Sequence, residues 1–207
     1  MNYLYLHGFA SGVQSRKAQY LIDRFAERGH RLITPDLNLG DFSSITLSKQ
    51  LSFLQDHYGD QSCCVMGSSL GGLLATLWAI NPLVESLILL APAFRFSECL
   101  ARSIGRTEME KWQQEGVRNF YHYGFDRELP LHYEFFRDSQ AHDERKLTRE
   151  LPILIIHGAQ DDVVLPDNSR EFANDRSGVK LLIVDSDHSL TNVMDLIWRE
   201  TEAFWHL

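Results

Sequence analysis

The sequence predicts an α/β domain: a mostly parallel sheet of about six strands, covered by helices on both faces, with a small helical cap insert. Three observations carry this. Short strands alternate with helical stretches along the chain. The strands are apolar throughout, as strands of a sheet covered on both faces are. One segment, residues 94–148, separates two predicted strands by far more than a usual connection. With 207 residues, 44% of them hydrophobic, the chain suits one domain over 1–207 with a substantial core.

Tyr3 to Leu6 is a compact apolar strand that ends in His7-Gly8-Phe9. Ser15 can cap a helix running to about Arg28, with Ala18, Leu21, Ile22 and Phe25 on one face and Gly29 closing it. Arg31 to Thr34 reads as a second strand, and Ile45 to about His57 has helical period. Cys63 to Met66 is a buried strand, followed by a helix from Leu70 to about Ile80. Ser86 to Leu90, Ile153 to Ile156 and Val179 to Val184 are three further strands. Pro166 to about Asn174 suits a short helix, and Asn192 to Phe204 a final amphipathic one.

The formal net charge is -8, spread along the chain. Nothing resembles a basic nucleic-acid surface, so no nucleic-acid partner is expected. No apolar run approaches the length that crosses a bilayer. Met1 to Phe9 has no basic region before it, so no signal peptide is expected. Cys63, Cys64 and Cys99 are an odd count without regular spacing. They read as inert buried thiols, and a cytoplasmic location is expected.

The chemistry-bearing motif is Gly67-Ser68-Ser69-Leu70-Gly71, between the strand ending at Met66 and the following helix. A sharp strand-to-helix turn of this kind pushes its central serine into the open, and flanking glycines let backbone pass close. Ser69 is the candidate nucleophile, with Ser68 as its nearest rival. Asp161 follows the strand that ends in His157-Gly158, and Asp187-His188 follows the last strand. The order Ser69, Asp161, His188 is the nucleophile–acid–histidine order of the α/β-hydrolases. A serine hydroxyl needs a base to take its proton, and imidazole titrates in the right range. His188 fills that role, and Asp161 fixes its tautomer. The neighbouring Asp162 is the rival acid, read as a solvated residue. The backbone N–H groups of Leu70 and Phe9 are placed to form an oxyanion hole.

Tyr5-Leu6-His7-Gly8-Phe9-Ala10-Ser11, followed by Ser15-Arg16-Lys17-Ala18, resembles the opening of the small bacterial esterases of the YqiA/YcfP group within the α/β-hydrolase superfamily. Gly67 to Gly72 and Leu89 to Ala93 are similar to that group's elbow and next strand end. Pro152 to Pro166 and Asp187-His188 look more like the wider superfamily. The resemblance implies the α/β-hydrolase fold and a serine esterase.

The insert 94–148 is rich in aromatic residues between Trp112 and Phe136. It reads as a pair of helices extending the core, or as a cap whose aromatics, Phe135 and Phe136 among them, line an acyl pocket. Arg95 reads as a surface ion pair, or as a contact to a substrate carboxylate or phosphate. His7 is expected to hold the oxyanion loop and His157 to be structural, while His122, His132 and His142 default to surface positions. No pair of histidines has metal spacing, so no metal and no cofactor are expected. The expected reaction is hydrolysis of carboxylic esters of short to medium acyl chains through an acyl-enzyme on Ser69. A thioesterase with the same triad and a non-catalytic binding protein retaining the fold are the alternatives. The expected partner is a small-molecule ester or thioester.

Overall fold

A computed structural model describes residues 1–174 and 176–207. Six strands form one parallel sheet in the order β2-β1-β3-β4-β7-β8. They are β1 (Asn2–Leu6), β2 (Leu32–Ile33), β3 (Cys63–Ser68), β4 (Val84–Leu90), β7 (Ile153–Gly158) and β8 (Val179–Val184). The remaining pair, β5 (Val117–His122) and β6 (Arg127–His132), is an antiparallel hairpin. The helices are α1 (Arg16–Glu27), α2 (Leu47–Tyr58), α3 (Leu70–Trp78), α4 (Phe96–Ile104), α5 (Arg106–Glu115), α6 (Glu134–Ser139), α7 (Pro166–Asn174) and α8 (Met194–Trp205). None of them is long and apolar enough to cross a membrane.

Side chains on a strand alternate between faces, and this alternation builds two cores. Leu4, Leu6, Val65, Leu87, Leu89, Ile153 and Ile155 face one side, against α2, α3 and the insert. Tyr5, Cys64, Met66, Ile88, Leu90, Leu154 and Ile156 face the other, against α1 and α8. Both faces are apolar because both are covered, which is why the strands read as continuous hydrophobic runs.

The ends of the elements follow their caps. Ser15 Oγ accepts the Ala18 N–H at 3.3 Å, which starts α1 at Arg16, and Gly29 leaves it at φ 73°. Thr46 Oγ1 accepts the Lys49 N–H at 3.1 Å and delays α2 to Leu47; a short 3-10 turn, Phe42–Ser44, precedes it. A similar turn, Thr191–Val193, delays α8 to Met194. Strand β3 runs two residues past the expected Met66, because Gly67 and Ser68 still pair with Leu89 and Leu90 of β4. The three cysteines are free and buried, and burial above all pushes the Cys63 thiol up to about 12.

The insert between β4 and β7 is not purely helical: it carries the β5–β6 hairpin as well as α4, α5 and α6. Its Trp112, Leu131, Phe135 and Phe136 join the same buried cluster as Leu4 and Leu6 of the central sheet. Trp112 donates its indole N–H to the Leu131 carbonyl at 3.0 Å, tying α5 to the hairpin. Phe135 is fully buried between Phe9, 5.2 Å away and stacked, and Phe96, edge-on at 5.7 Å. Phe135→Ala is expected to destabilise the protein by about 3–5 kcal/mol, the range for emptying a buried phenyl site. Chemical denaturation would measure it, and a loss below about 1 kcal/mol would mean the ring is not part of the packing.

Candidate active site

The turn between β3 and α3 places Ser69 at φ 54° and ψ -119°, a conformation that strains a residue bearing a Cβ. The glycines around it are sterically required. A Cβ on Gly71 would lie 2.0 Å from the Leu6 carbonyl oxygen, and one on Gly67 would lie 2.2 Å from that of Gly71. Hydrogen bonds hold the strained serine: its N–H donates to Leu90 O at 2.9 Å, and its carbonyl accepts from Gly72 at 2.9 Å and Ala93 at 3.0 Å. Ser69 is half-buried, whereas its rival Ser68 is buried in β3.

His188 and Asp161 arrive on the loops after β8 and β7. His188 Nε2 lies 3.0 Å from Ser69 Oγ, and Nδ1 lies 2.7 Å from Asp161 Oδ2. A Cβ on Gly158 would fall 2.4 Å from Ser186 O, so the bare glycine lets the His188 loop pack onto the end of β7. Asp161 is buried; Asp162, its rival, is exposed. Oδ1 of Asp161 accepts the N–H groups of Val163 at 3.0 Å and Val164 at 2.8 Å. Oδ2 also lies 3.0 Å from His157 Nε2. Burial acts to raise the Asp161 pKa. The bonds from His157 and His188, the His188 charge and the Val164 N–H outweigh it, and the carboxyl is held well below its usual range.

His157 has a more specific place than a generic strand exit. Its Nε2 faces two acceptors, Asp161 Oδ2 and Val164 O, the latter at 2.9 Å, so that nitrogen carries the hydrogen. The Ser169 hydroxyl, 2.8 Å from Nδ1, then donates to the ring. The four-residue spacing in His157-Gly158-Ala159-Gln160-Asp161 was the available signal, because a strand exit followed by a tight turn returns the chain toward that histidine.

The His7-Gly8-Phe9 loop after β1 lies directly against the elbow: a Cβ on Gly8 would be 3.4 Å from Ser69 Cβ. Leu70, as the first residue of α3, has an N–H without an intrahelical acceptor. Among the described residues, the Phe9 N–H also has no protein acceptor. His7 holds the loop as expected, with Nδ1 donating to Gly8 O at 2.9 Å and Nε2 accepting the Leu37 N–H at 3.0 Å. Two further supports were not foreseen. Asn38 Nδ2 donates to Ser11 O at 3.0 Å, and the Tyr123 N–H at the hairpin tip donates to Ala10 O at 2.8 Å. His122, expected at the surface, is fully buried against Phe42, with Nε2 3.0 Å from Asn38 Oδ1. The insert is thus fastened to the loop after β1.

Three residues that carried both a structural and a substrate-contact reading stand in structural surroundings. Phe135 and Phe136 are 0% and 7% exposed in the aromatic core of the insert, so they support the fold and do not line an open cleft. Phe135 acts at one remove, through its stack on Phe9. Arg95 pairs with Glu98 at 2.7 Å and Glu171 at 3.7 Å, the surface ion pair that was one of its two readings. It lines a cavity of about 790 Å³ whose walls include none of Ser69, Asp161 and His188. Among the described residues, no three His, Cys, Asp or Glu side chains are grouped to hold a metal ion.

The fold is shared by solved structures. The α/β hydrolase domain-containing protein 10 from mouse matches with a TM-score of 0.82 at 19% identity, over 99% of this chain and 89% of the mouse chain. Est1E from Butyrivibrio proteoclasticus, solved with ferulic acid bound, matches with a TM-score of 0.80 at 22% identity, over 98% of this chain and 86% of Est1E. At these identities the likeness is one of fold. No curated protein matches the chain. A family model described as "Uncharacterised protein family (UPF0227)" matches residues 2–204.

Proposed function

The chain belongs to the UPF0227 family, and on that footing we propose that it is a serine hydrolase that cleaves carboxylic esters through an acyl-enzyme on Ser69. One observation carries the reading: a continuous hydrogen-bonded series from buried Asp161 through His188 to a serine held at positive φ. In this mechanism Ser69 Oγ attacks the ester carbonyl carbon while its proton passes to His188 Nε2. The carbonyl oxygen becomes an oxyanion between the Phe9 and Leu70 N–H groups, each such donor being worth about 3 kcal/mol in the transition state. Asp161 keeps Nδ1 protonated and stabilises the imidazolium. The intermediate collapses, and the leaving alcohol takes the proton from Nε2. Water then attacks the acyl-enzyme and gives a proton to the same nitrogen; as the C–Oγ bond breaks and the acid departs, Nε2 returns that proton to Ser69 Oγ.

The rings expected to limit acyl-chain length are core residues, so no chain-length preference is assigned to them. Thioester carbonyls offer the same atoms to Ser69. A panel of esters and thioesters with matched acyl groups separates the two substrate classes. On the better class, kcat/KM is expected to be unaffected by chelators, and replacing His188 with Ala should remove turnover on every ester of the panel. A rate that falls with chelator, or that survives in His188→Ala, would contradict a histidine base working without a metal.

A further inference from the structure

Lys17 lies in the first turn of α1, outside the series that carries the proposed chemistry. Its ammonium donates to the carbonyl of Ser189 at 2.8 Å, joining residues 172 apart in sequence. Ser189 directly follows His188. The same loop is tied internally by Asp187, whose Oδ1 accepts the Ser189 N–H at 2.9 Å and its hydroxyl at 2.6 Å. On its other side the loop leans on the turn after β7, with the Gln160 N–H donating to Ser186 O at 2.9 Å. Lys17 is therefore the link from α1 to the loop that presents the imidazole.

Resting on the hydrolase reading above, we propose that Lys17 is a positioning residue: its charged hydrogen bond to the Ser189 carbonyl holds His188 between Asp161 and Ser69. The Lys17 side chain is half-buried, which is costly for a charge unless it is paired or hydrogen-bonded. The charged groups facing it are Asp187 in the His188 loop and Asp161 in the loop after β7. Other charges where α1 meets α8 pair elsewhere: Arg24 with Glu27 and Asp195, and Arg28 with Glu202. Burial is the largest influence on the ammonium and lowers its pKa to about 8, against a partial rise from the two carboxylates. Losing the proton turns a charge-assisted bond into a weaker neutral one. Misplacing a reacting group by about 1 Å can cost about a hundredfold in rate, so a smaller shift of His188 is expected to cost about tenfold.

The test compares wild type, Lys17→Arg and Lys17→Met on one ester across pH 5–10, with fluorophosphonate labelling of each. Wild-type kcat should fall above about pH 8 as Lys17 deprotonates. Lys17→Met should lose about tenfold in kcat with little change in KM, and should lack that alkaline fall. Lys17→Arg should retain most of the rate and move the fall to higher pH, because a guanidinium stays charged. Stability gives a readout independent of catalysis. Between about 8 and 10.5 the unfolded chain holds the Lys17 proton and the folded chain does not, so wild type gains stability relative to Lys17→Met as pH rises through that window. If Lys17→Met does not fold, the shift of the alkaline limb in Lys17→Arg decides the matter. Unchanged kcat and unchanged limbs in variants that still label would overturn the role of Lys17 alone. A wild type that never labels would instead overturn the hydrolase reading.

Discussion

Ser69→Ala is expected to lower ester turnover by on the order of 10⁴- to 10⁶-fold and to abolish fluorophosphonate labelling. The fold should survive. The hydroxyl donates to nothing that holds the turn together; the turn is held by the Ser69 N–H and carbonyl, which alanine keeps. The strain at φ 54° also stays, because alanine retains the Cβ. Melting temperature should therefore change little while activity vanishes. Ser68→Ala should keep the label, since that side chain is buried in β3. Full activity in Ser69→Ala, or loss of the label only in Ser68→Ala, would place the nucleophile elsewhere.

Asp161→Asn is expected to reduce kcat by about 10⁴-fold, through loss of the partner that fixes the imidazole tautomer. It should also destabilise the protein, unlike Ser69→Ala. The carboxylate accepts from four donors: the N–H groups of Val163 and Val164, and the rings of His157 and His188. An amide has one oxygen and one NH₂, so at least one of these donors would meet another donor. A buried group left in that state costs about 1–3 kcal/mol. The depressed pKa of Asp161 has a related consequence. Its stabilising contribution is present above the unfolded carboxyl value of about 3.9 and is lost only as pH falls through the lower folded value. The exposed Asp162 changed to Asn should leave both rate and stability near wild type. Equal losses in the two variants would argue that a general charge effect, not the Asp161 contacts, sustains activity.

The sheet was legible because each of its strands is apolar on both faces, a pattern that needs no tertiary information. The elbow was legible from its spacing: Gly67 is forced by the backbone of Gly71 and Gly72 four to five residues on, while the need for Gly71, set by the carbonyls of Leu6 and His7, is a long-range one that the pentapeptide only records. The hairpin of the insert was missed. Its strand Val117–His122 is mostly exposed or half-exposed and mixed with charge, so no buried run announces it. A period-two alternation ending near Gly124 was the available signal. The burial of Phe135 and His122 depends on partners such as Phe9, Phe42 and Asn38, far away in sequence, and that of Phe136 on Trp112 and Tyr133 within the insert. No local pattern reports such contacts. The same holds for Lys17, whose partner is Ser189. The order of Ser69, Asp161 and His188 along the chain was visible; the two histidines on one carboxylate were not.

The central claim is that Ser69 carries the acyl group during turnover. The direct measurement is mass spectrometry of the intact protein, acid-quenched during hydrolysis of an ester with a slow-leaving acyl group, followed by peptide mapping. The proposed mechanism predicts a mass gain equal to one acyl group, located on Ser69 and absent in Ser69→Ala. Active turnover with no adduct under conditions where deacylation is slow, or an adduct on any other residue, would contradict it.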